Sequence, residues 1–296
     1  MKQPLVTIGI PTWNRAGSYL RGAVESALTQ SWQNIEVLVS DNGSTDHTAE
    51  LMADFDDPRL RYIQQPVNLG QRGNMNFLVQ EARGDYLLLY HDDDQIDSDF
   101  VETCMKAANY RSDAGLIVTG SRVIDTEGRQ VRSKENMADG MSDDEFMLLW
   151  YKKGVHLFLC NCLFGTEALR RAGGFLQKYD TFDDVAAEFL AMSIQGRIDV
   201  REVKAGMREH AGSETSSTDL GRWCKSALAL LRLAAELAPD LAPELQKTGR
   251  RTSADRNYRY AADNPGFFKR VAGYVTVYRH FRVWPGRYWF GKLFLK

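Results

Sequence analysis

Tyr86-Leu87-Leu88-Leu89-Tyr90-His91-Asp92-Asp93-Asp94 is the stretch on which the reading of this chain turns. A short apolar run passes without a break into three consecutive carboxylates. Such a run, bounded by polar residues, reads as a strand buried on both faces, and strands of that kind belong to parallel sheets covered by helices. Carboxylates crowded at a strand end repel one another. Water, a metal ion or a base has to make the crowding tolerable.

The same grammar repeats on both sides of this stretch. Apolar runs at 5–10, 35–40, 60–64 and 116–119 read as strands, and 16–30, 46–55, 74–82 and 100–108 read as helices. Strands alternating with helices imply βαβ units and a mainly parallel sheet. In such sheets ligands bind beyond the carboxyl ends of the strands. The loops there are Pro11-Thr12-Trp13-Asn14-Arg15, Asp41-Asn42-Gly43-Ser44-Thr45-Asp46, Pro66 to Arg72, and His91-Asp92-Asp93-Asp94. Four successive strand ends therefore deliver polar side chains to one edge.

Beyond residue 120 the pattern is less regular. A hairpin is expected over 123–131 around Glu127-Gly128, helices at 143–151, 167–172 and 186–194, and strands at 158–164 and 198–203. From 219 to 237 the spacing is strongly helical, and Pro239 and Pro243 then punctuate the chain.

The chain has 296 residues, 44% hydrophobic and 26% charged, enough to bury the core of one large α/β domain with a smaller element. Its net charge of −2 hides an asymmetry. Residues 250–296 hold eleven Lys/Arg against Asp255 and Asp263, a net of +9, which leaves −11 for the rest. A basic tail on an acidic body points to an anionic surface as partner. The acidic body argues against nucleic acid.

Cys104, Cys160, Cys162 and Cys224 include no CxxC pair and read as reduced thiols of a cytosolic protein. On a strand at 158–164, Cys160 and Cys162 would share one face. The N-terminus MKQPLVTIGIP resembles no signal peptide, and no run of 18 apolar residues occurs, so neither secretion nor a membrane span is expected. No GxGxxG follows the first strand and no GxxxxGK[ST] occurs, which sets aside dinucleotide and P-loop phosphate binding.

The acidic run carries the chemistry. Asp92 and Asp94, two apart, can point to one side of the strand end. Carboxylate oxygens suit hard cations such as Mg²⁺ and Mn²⁺, and the phosphates of a nucleotide would complete the shell. A helix N-terminus also favours Asp, and that bland reading suits Asp97 or Asp99 ahead of the helix at Phe100. It suits three carboxylates tight against the strand poorly. Asp183-Asp184 precedes a helix as well, and spacing alone leaves N-cap and general base equal there.

Taken in order, the pieces resemble family 2 glycosyltransferases of the bacterial cell-surface polysaccharide type. VTIGIPTWNR is similar to that family's opening strand and loop. IEVLVSDNGSTDHT is similar to its DDGSTD element, with Asn42 in place of the second Asp. NLGQRGNMNFLVQEARGDYLLLYHDDD resembles the approach to its DxD motif, with Asn74-Met75-Asn76 where Ala-Arg-Asn is usual. LFGTEALRRAGGF, FDDVAAEFLAMSIQG and REHAGSETS resemble the later elements around the catalytic base and a histidine. The resemblance covers roughly residues 4–215.

It implies the nucleotide-sugar-binding GT-A fold: a Rossmann-type, mainly parallel sheet flanked by helices. The catalytic domain would span 1–215, with a nucleotide-binding half at 1–120 and an acceptor-binding half at 121–215. A helical, basic-aromatic extension would occupy 216–296. Pro11, Thr12, Asn14, Arg15, Asp41, Asn42 and Gly43 would line the nucleotide pocket, with Asp41 on the base and Arg72 on the diphosphate or base. Asp92, Asp93 and Asp94 would contact ribose and a divalent cation, Mn²⁺ or Mg²⁺. The working pair is Asp92/Asp94 or Asp93/Asp94, with His91 a candidate neighbour. Asp184 would be the base, with Asp183 and Glu188 as substitutes, and His210 a further metal or diphosphate contact.

The implied activity is inverting, metal-dependent transfer of a sugar from a UDP or dTDP donor to a hydroxyl of a glycan or lipid-linked glycan. The rivals are a sugar nucleotidyltransferase, which would carry a Gly-rich basic loop after the first strand, and a non-catalytic nucleotide-sugar-binding module. The interleaved aromatics and cations of 264–296 read as a peripheral contact with the inner face of the cytoplasmic membrane.

Overall fold

The computed structural model describes residues 3–209 and 219–294. Two compact units divide the chain. The first comprises 1–140, 155–175 and 187–210, and the second 141–154, 176–186 and 211–296. Two inner segments, 141–154 and 176–186, group with the C-terminal part of the chain.

The first unit is built on one sheet. Its strands are β1 Val6–Thr12, β2 Ile35–Asp41, β3 Leu60–Gln64, β4 Tyr86–Leu89, β5 Gln95–Ile96, β6 Leu116–Ile124, β7 Gln130–Lys134, β8 Cys162–Gly165 and β9 Arg197–Arg208. They lie in the order β3-β2-β1-β4-β8-β6-β9-β5, with β7 on β6. β3, β2, β1 and β4 run parallel, β8 is antiparallel to both β4 and β6, and β6 and β9 are again parallel. The parallel core follows from its sequence: every residue of β2 and β4 is buried, as a strand covered on both faces requires. The helices of this unit are α1 Leu20–Leu28, α2 Thr48–Ala53, α3 Gly70–Glu81, α4 Phe100–Ala107 and α6 Thr166–Arg171. The core joins Val6, Ile8 and Ile10 of β1 with Leu20 and Val24 of α1 and with Phe100 and Met105 of α4.

The hairpin expected over 123–131 is β6 and β7, turning at Gly128 with φ +82°. The strand expected over 158–164 is shorter. Residues Leu159–Asn161 form a 3-10 turn and the strand starts at Cys162. Asn161 explains the difference: its Oδ1 accepts from the Phe158 amide at 2.8 Å and its Nδ2 donates to the Thr119 carbonyl at 2.6 Å. A side chain that takes up backbone groups in this way displaces the ladder. Cys160 and Cys162 therefore do not share a strand face, and all four cysteines are buried and unbridged.

The second unit is helical. α5 Asp143–Tyr151 begins with a capping box, in which Ser142 and Glu145 exchange side-chain-to-backbone bonds. α8 Leu220–Leu237, α9 Ala242–Ala262, α10 Phe267–Phe281 and α11 Arg287–Lys292 follow. α8 is capped by Asp219, whose carboxylate accepts from the Arg222 amide, and it buries Trp223, Ala227, Leu230, Leu231 and Ala234 on one stripe. Gly249 lets α9 come close: a Cβ there would stand 2.4 Å from Leu231 and 3.2 Å from Tyr151. α7 Asp183–Gln195 starts in this unit and ends in the first.

Candidate active site

The register of the parallel strands brings the loops together. Thr12 is paired with Asp41, Asp41 with Gln64, and Gly9 with Leu89, so β1 to β4 end along one edge. Beyond that edge the loops are joined by side chains. The Asn42 amide donates to the Thr12 carbonyl at 2.9 Å. Asn14, at φ +53°, offers its amide to Ser44 Oγ at 2.8 Å and accepts from the Thr45 amide at 2.9 Å. Asn is among the residues that tolerate this left-handed geometry. Thr12 Oγ1 then donates to Asp92 Oδ2 at 2.7 Å, and Arg15 Nε stands 3.9 Å from the same oxygen. Thr12 and Arg15 thus lie at the acidic run, Pro11 precedes them in β1 opposite Ser40, and Trp13 is exposed.

Asp41 sits deeper than a contact to a nucleotide base suggests. It is fully buried, with Oδ1 accepting from the Ser44 amide at 2.8 Å and Oδ2 from the Tyr62 hydroxyl at 2.6 Å. Burial, followed by that hydrogen bond, pushes the Tyr62 phenol well up. Asn42 is also buried. Its Nδ2 donates to Asn68 Oδ1 at 3.0 Å and its Oδ1 accepts from the Leu69 amide at 2.7 Å, which fixes the loop leading to Arg72 in the first turn of α3. Gly43 turns the chain at φ +74°, where a Cβ would come 3.2 Å from the Val67 carbonyl carbon. Of the Asn74-Met75-Asn76 triplet, Asn74 bonds to Ser40 and Asn76 to the backbone of Phe175.

Within the acidic run the three carboxylates are not equivalent. Asp92 is tied to Thr12. Asp93 and Asp94 instead group with His91, and one ligand atom from each lies within 4.8 Å of the others. His91 Nδ1 is 4.0 Å from Asp94 Oδ2, and His91 Nε2 is buried without a hydrogen-bond partner among the described residues. Burial raises the carboxyls of Asp92 and Asp94, Asp94 to about 6. The buried Asp94, the half-buried Asp93 and an imidazole nitrogen without a hydrogen-bond partner among the described residues fit a divalent cation. One nitrogen and several hard oxygens suit Mn²⁺, with Mg²⁺ served by the carboxylates alone.

A residue that sequence reasoning passed over completes this arrangement. Arg208, at the end of β9, gives its backbone amide to Asp94 Oδ1 at 2.9 Å, its Nε to the Asp93 carbonyl at 2.7 Å and an Nη to the Asp125 carbonyl at 2.7 Å. Its guanidinium lies 4.5 Å from the Tyr19 ring centroid. A lone arginine closing a strand carries no pattern, and its partners are more than 80 residues away in the chain. Asp94 and Arg208 also line a cavity of about 430 Å³ with Tyr19, Ser26, Tyr90 and Arg122.

Asp183 and Asp184 open α7 and are both half-buried, and Asp184 Oδ1 accepts from the Val185 amide at 2.7 Å. Glu188, one turn on, is fully buried. His210 lies outside the described residues. Asp99 precedes α4 as expected, but its carboxylate pairs with Lys204 Nζ at 2.6 Å and makes no cap bond.

Residues 7–172 match the model of a family described as glycosyl transferase family 2. That span holds Thr12, Asp41 and the acidic run, and ends before Asp184. A glycosyltransferase of Haemophilus influenzae is 34% identical over 136 residues, 45% of this chain and 53% of the relative. The GalNAc(5)-diNAcBac-PP-undecaprenol beta-1,3-glucosyltransferase of Campylobacter jejuni is 31% identical over 144 residues, 48% and 45% of the two chains. The chain therefore spans about half the length, or less, of the curated relatives it matches. Among solved structures, Staphylococcus aureus TarS with UDP-GlcNAc superposes with a TM-score of 0.60 at 14% identity, over 94% of this chain and 89% of that one. A mannosyltransferase of Pyrobaculum calidifontis with GDP-Man and Mn²⁺ gives 0.54 at 18% identity, over 99% and 85%. At these identities the likeness is one of fold, and it is a GT-A glycosyltransferase fold.

Proposed function

Because the chain belongs to glycosyl transferase family 2, we propose that it moves a sugar, with inversion, from a nucleotide-diphosphate donor to a hydroxyl of a glycan acceptor in cell-surface polysaccharide synthesis. The observation that carries this reading is the meeting of strand ends: Thr12 on Asp92 at 2.7 Å, beside His91, Asp93 and Asp94 within 4.8 Å of one another.

In this reading Thr12, Asn14 and Arg15 bound the nucleotide pocket with Asp92, and Arg15 places positive charge where phosphates would lie. Asp41 with Tyr62, and Asn42 with Asn68, act one layer behind by fixing the loops. His91, Asp93 and Asp94 would hold the divalent cation, which supplies positive charge to a departing diphosphate. Asp184 accepts the acceptor hydroxyl's proton as the new bond forms. Single displacement from the opposite face inverts the anomeric centre. UDP or dTDP is the nucleotide we favour, since TarS, a structural neighbour, was solved with UDP-GlcNAc. The acceptor is a glycan or lipid-linked glycan, and the Campylobacter relative named for an undecaprenol-linked acceptor supports the latter.

The test is a thermal-shift panel of UDP-, dTDP- and GDP-sugars with and without Mn²⁺, since a ligand that binds only the native state raises its stability by mass action. We expect one donor class to stabilise the protein, and to need Mn²⁺ to do so. No stabilisation by any donor would overturn the reading. With that donor, Asp184→Asn should abolish transfer and leave binding intact; transfer at the wild-type rate would reassign the base.

A further inference from the structure

We propose that the outer face of α10 and α11 docks on an anionic lipid surface. Five aromatic side chains here are exposed: Phe268 at 85%, Trp284 at 72%, Phe294 at 60%, Phe290 at 53% and Phe267 at 42%. The four phenylalanines are one cluster, with ring centroids 5.7 Å apart for Phe267–Phe268, 5.8 Å for Phe267–Phe294 and 5.6 Å for Phe290–Phe294. Isolated exposed apolar residues are ordinary; a contiguous patch marks an interaction site.

The patch is held in place by polar contacts beneath it. Arg270, buried on the inward face of α10, donates to the Leu293 carbonyl at 3.1 Å, and the Tyr274 hydroxyl donates to the Trp289 carbonyl at 2.6 Å. These bonds pin α11 along α10. The inward stripe of α10, with Gly273, Tyr274, Val277 and Phe281, is already buried. The phenylalanines are what the packing leaves outside.

Charge chooses the occupant. Exposed Lys269, Arg279 and Arg282 belong to the same two-helix segment, within a stretch of net charge +9. A second copy presenting the same face would set Lys269, Arg279 and Arg282 against the same cations of the first. An anionic bilayer offers headgroups for the cations and an interfacial region for the rings, and the two contributions together give stable peripheral binding. No helix among the described residues is long and apolar enough to cross a membrane, so the contact lies along the surface.

The experiment is flotation of the full chain with vesicles of phosphatidylcholine alone and with phosphatidylglycerol added, at low and high salt. We expect flotation with the anionic vesicles, at least about tenfold weaker on neutral ones and weakened by salt. Phe268→Ser with Phe290→Ser, and separately Lys269→Glu with Arg279→Glu, should each reduce it by a similar factor; both pairs are exposed, and an unchanged melting temperature would verify the fold. Wild-type protein that stays with the unbound fraction, or variants that float like wild type, would overturn the proposal. So would a concentration-dependent dimer that the Phe268→Ser pair abolishes without any vesicle binding. Flotation reads no catalysis, so this result stands apart from that of the transfer assay.

Discussion

The backbone amide of Arg208 meets the Asp94 carboxylate at 2.9 Å, joining the end of β9 to the end of the acidic run. The pairing of Gln95 with Gly206 and of Ile96 with Ala205 leads directly into this contact. The Arg208 side chain adds bonds to the carbonyls of Asp93 and Asp125. The run is thus shaped from both sides, by Thr12 of β1 and by Arg208 of β9.

Arg208→Ala keeps the amide contact and removes the side-chain bonds. Two carbonyls then lose their donor, at about 1–3 kcal/mol for each group left unsatisfied. We expect a lower melting temperature and a Mn²⁺ affinity roughly tenfold weaker, a change equivalent to about 1.4 kcal/mol. Arg208→Lys should recover part of the stability through a single bond and less of the affinity, since one ammonium cannot span both carbonyls. Titration of Mn²⁺ into each variant distinguishes positioning from mere stability: equal affinities at unequal melting temperatures would make Arg208 structural only.

Asp94 makes the fold sensitive to pH. Its carboxyl is raised by burial to about 6 from the ordinary aspartate value of about 3.9, so the folded protein favours the neutral form. Below about pH 4 the group is neutral in both folded and unfolded chains and carries no penalty. As pH rises, the unfolded chain ionises first, and stability falls until the folded carboxyl ionises near 6. The loss is about 3 kcal/mol, the equivalent of a shift of that size. Bound cation needs the ionised form, so Mn²⁺ should raise the melting temperature more at about pH 7.5 than at about pH 5. Asp94→Asn should gain on wild type in chelator as pH rises over this window, and should lose the Mn²⁺ response. Melting curves of both proteins against pH, in chelator and in Mn²⁺, check the two expectations together.

Thr12→Val removes the hydroxyl that holds Asp92 and keeps the shape. The bond is buried and its acceptor is charged when ionised, so its loss leaves a carboxylate that faces the Arg15 guanidinium at 3.9 Å without the hydroxyl. Hydrogen bonds to charged groups contribute about 1.5–3 kcal/mol. We expect nucleotide affinity to fall by about tenfold or more and Thr12→Ser to restore it. Calorimetric titration of the nucleotide that the thermal-shift panel selects would measure this.

Much of this was legible from the chain because parallel strands covered on both faces leave long apolar runs, as in Val6–Thr12, Ile35–Asp41 and Tyr86–Leu89. β5 was not legible: two residues have no period, and Gln95 and Ile96 become a strand only by pairing with β9. The insertion of β8 between β4 and β6 is likewise a long-range choice of partner that local pattern does not encode. The acidic run announced a site by composition. The grouping inside it was not legible, because Asp92 is taken up by Thr12, eighty residues earlier, while Asp93 and Asp94 lie beside His91. His91 is set beside Asp93 and Asp94 by the turn in which the Asp94 amide bonds back to the His91 carbonyl at 3.2 Å.

Asn42 is where this chain departs from the Asp-Asp-Gly-Ser pattern it otherwise resembles, and its contacts give a reason. Its amide nitrogen donates to Asn68 Oδ1, and that oxygen also accepts from the Gly70 amide at 2.8 Å. Asn68 therefore presents an acceptor that its second bond fixes in place. Asn42→Asp would set a carboxylate against that oxygen, replacing a donor–acceptor pair by two acceptors, while the bond from the Leu69 amide could persist. Asn42 is buried and Asn68 exposed, so the mismatch should cost about 1 kcal/mol, the low end for an unsatisfied buried group. In a chain of this size that corresponds to a melting temperature lower by roughly 2–4 °C. The loosened loop leads to Arg72, so donor binding should weaken as well. Asn42→Asp combined with Asn68→Lys supplies a cation opposite the new carboxylate and should recover part of the stability. Thermal melts of the single and double variants decide the matter: a single variant as stable as wild type would show that the Asn42–Asn68 contact does not set the residue at this position.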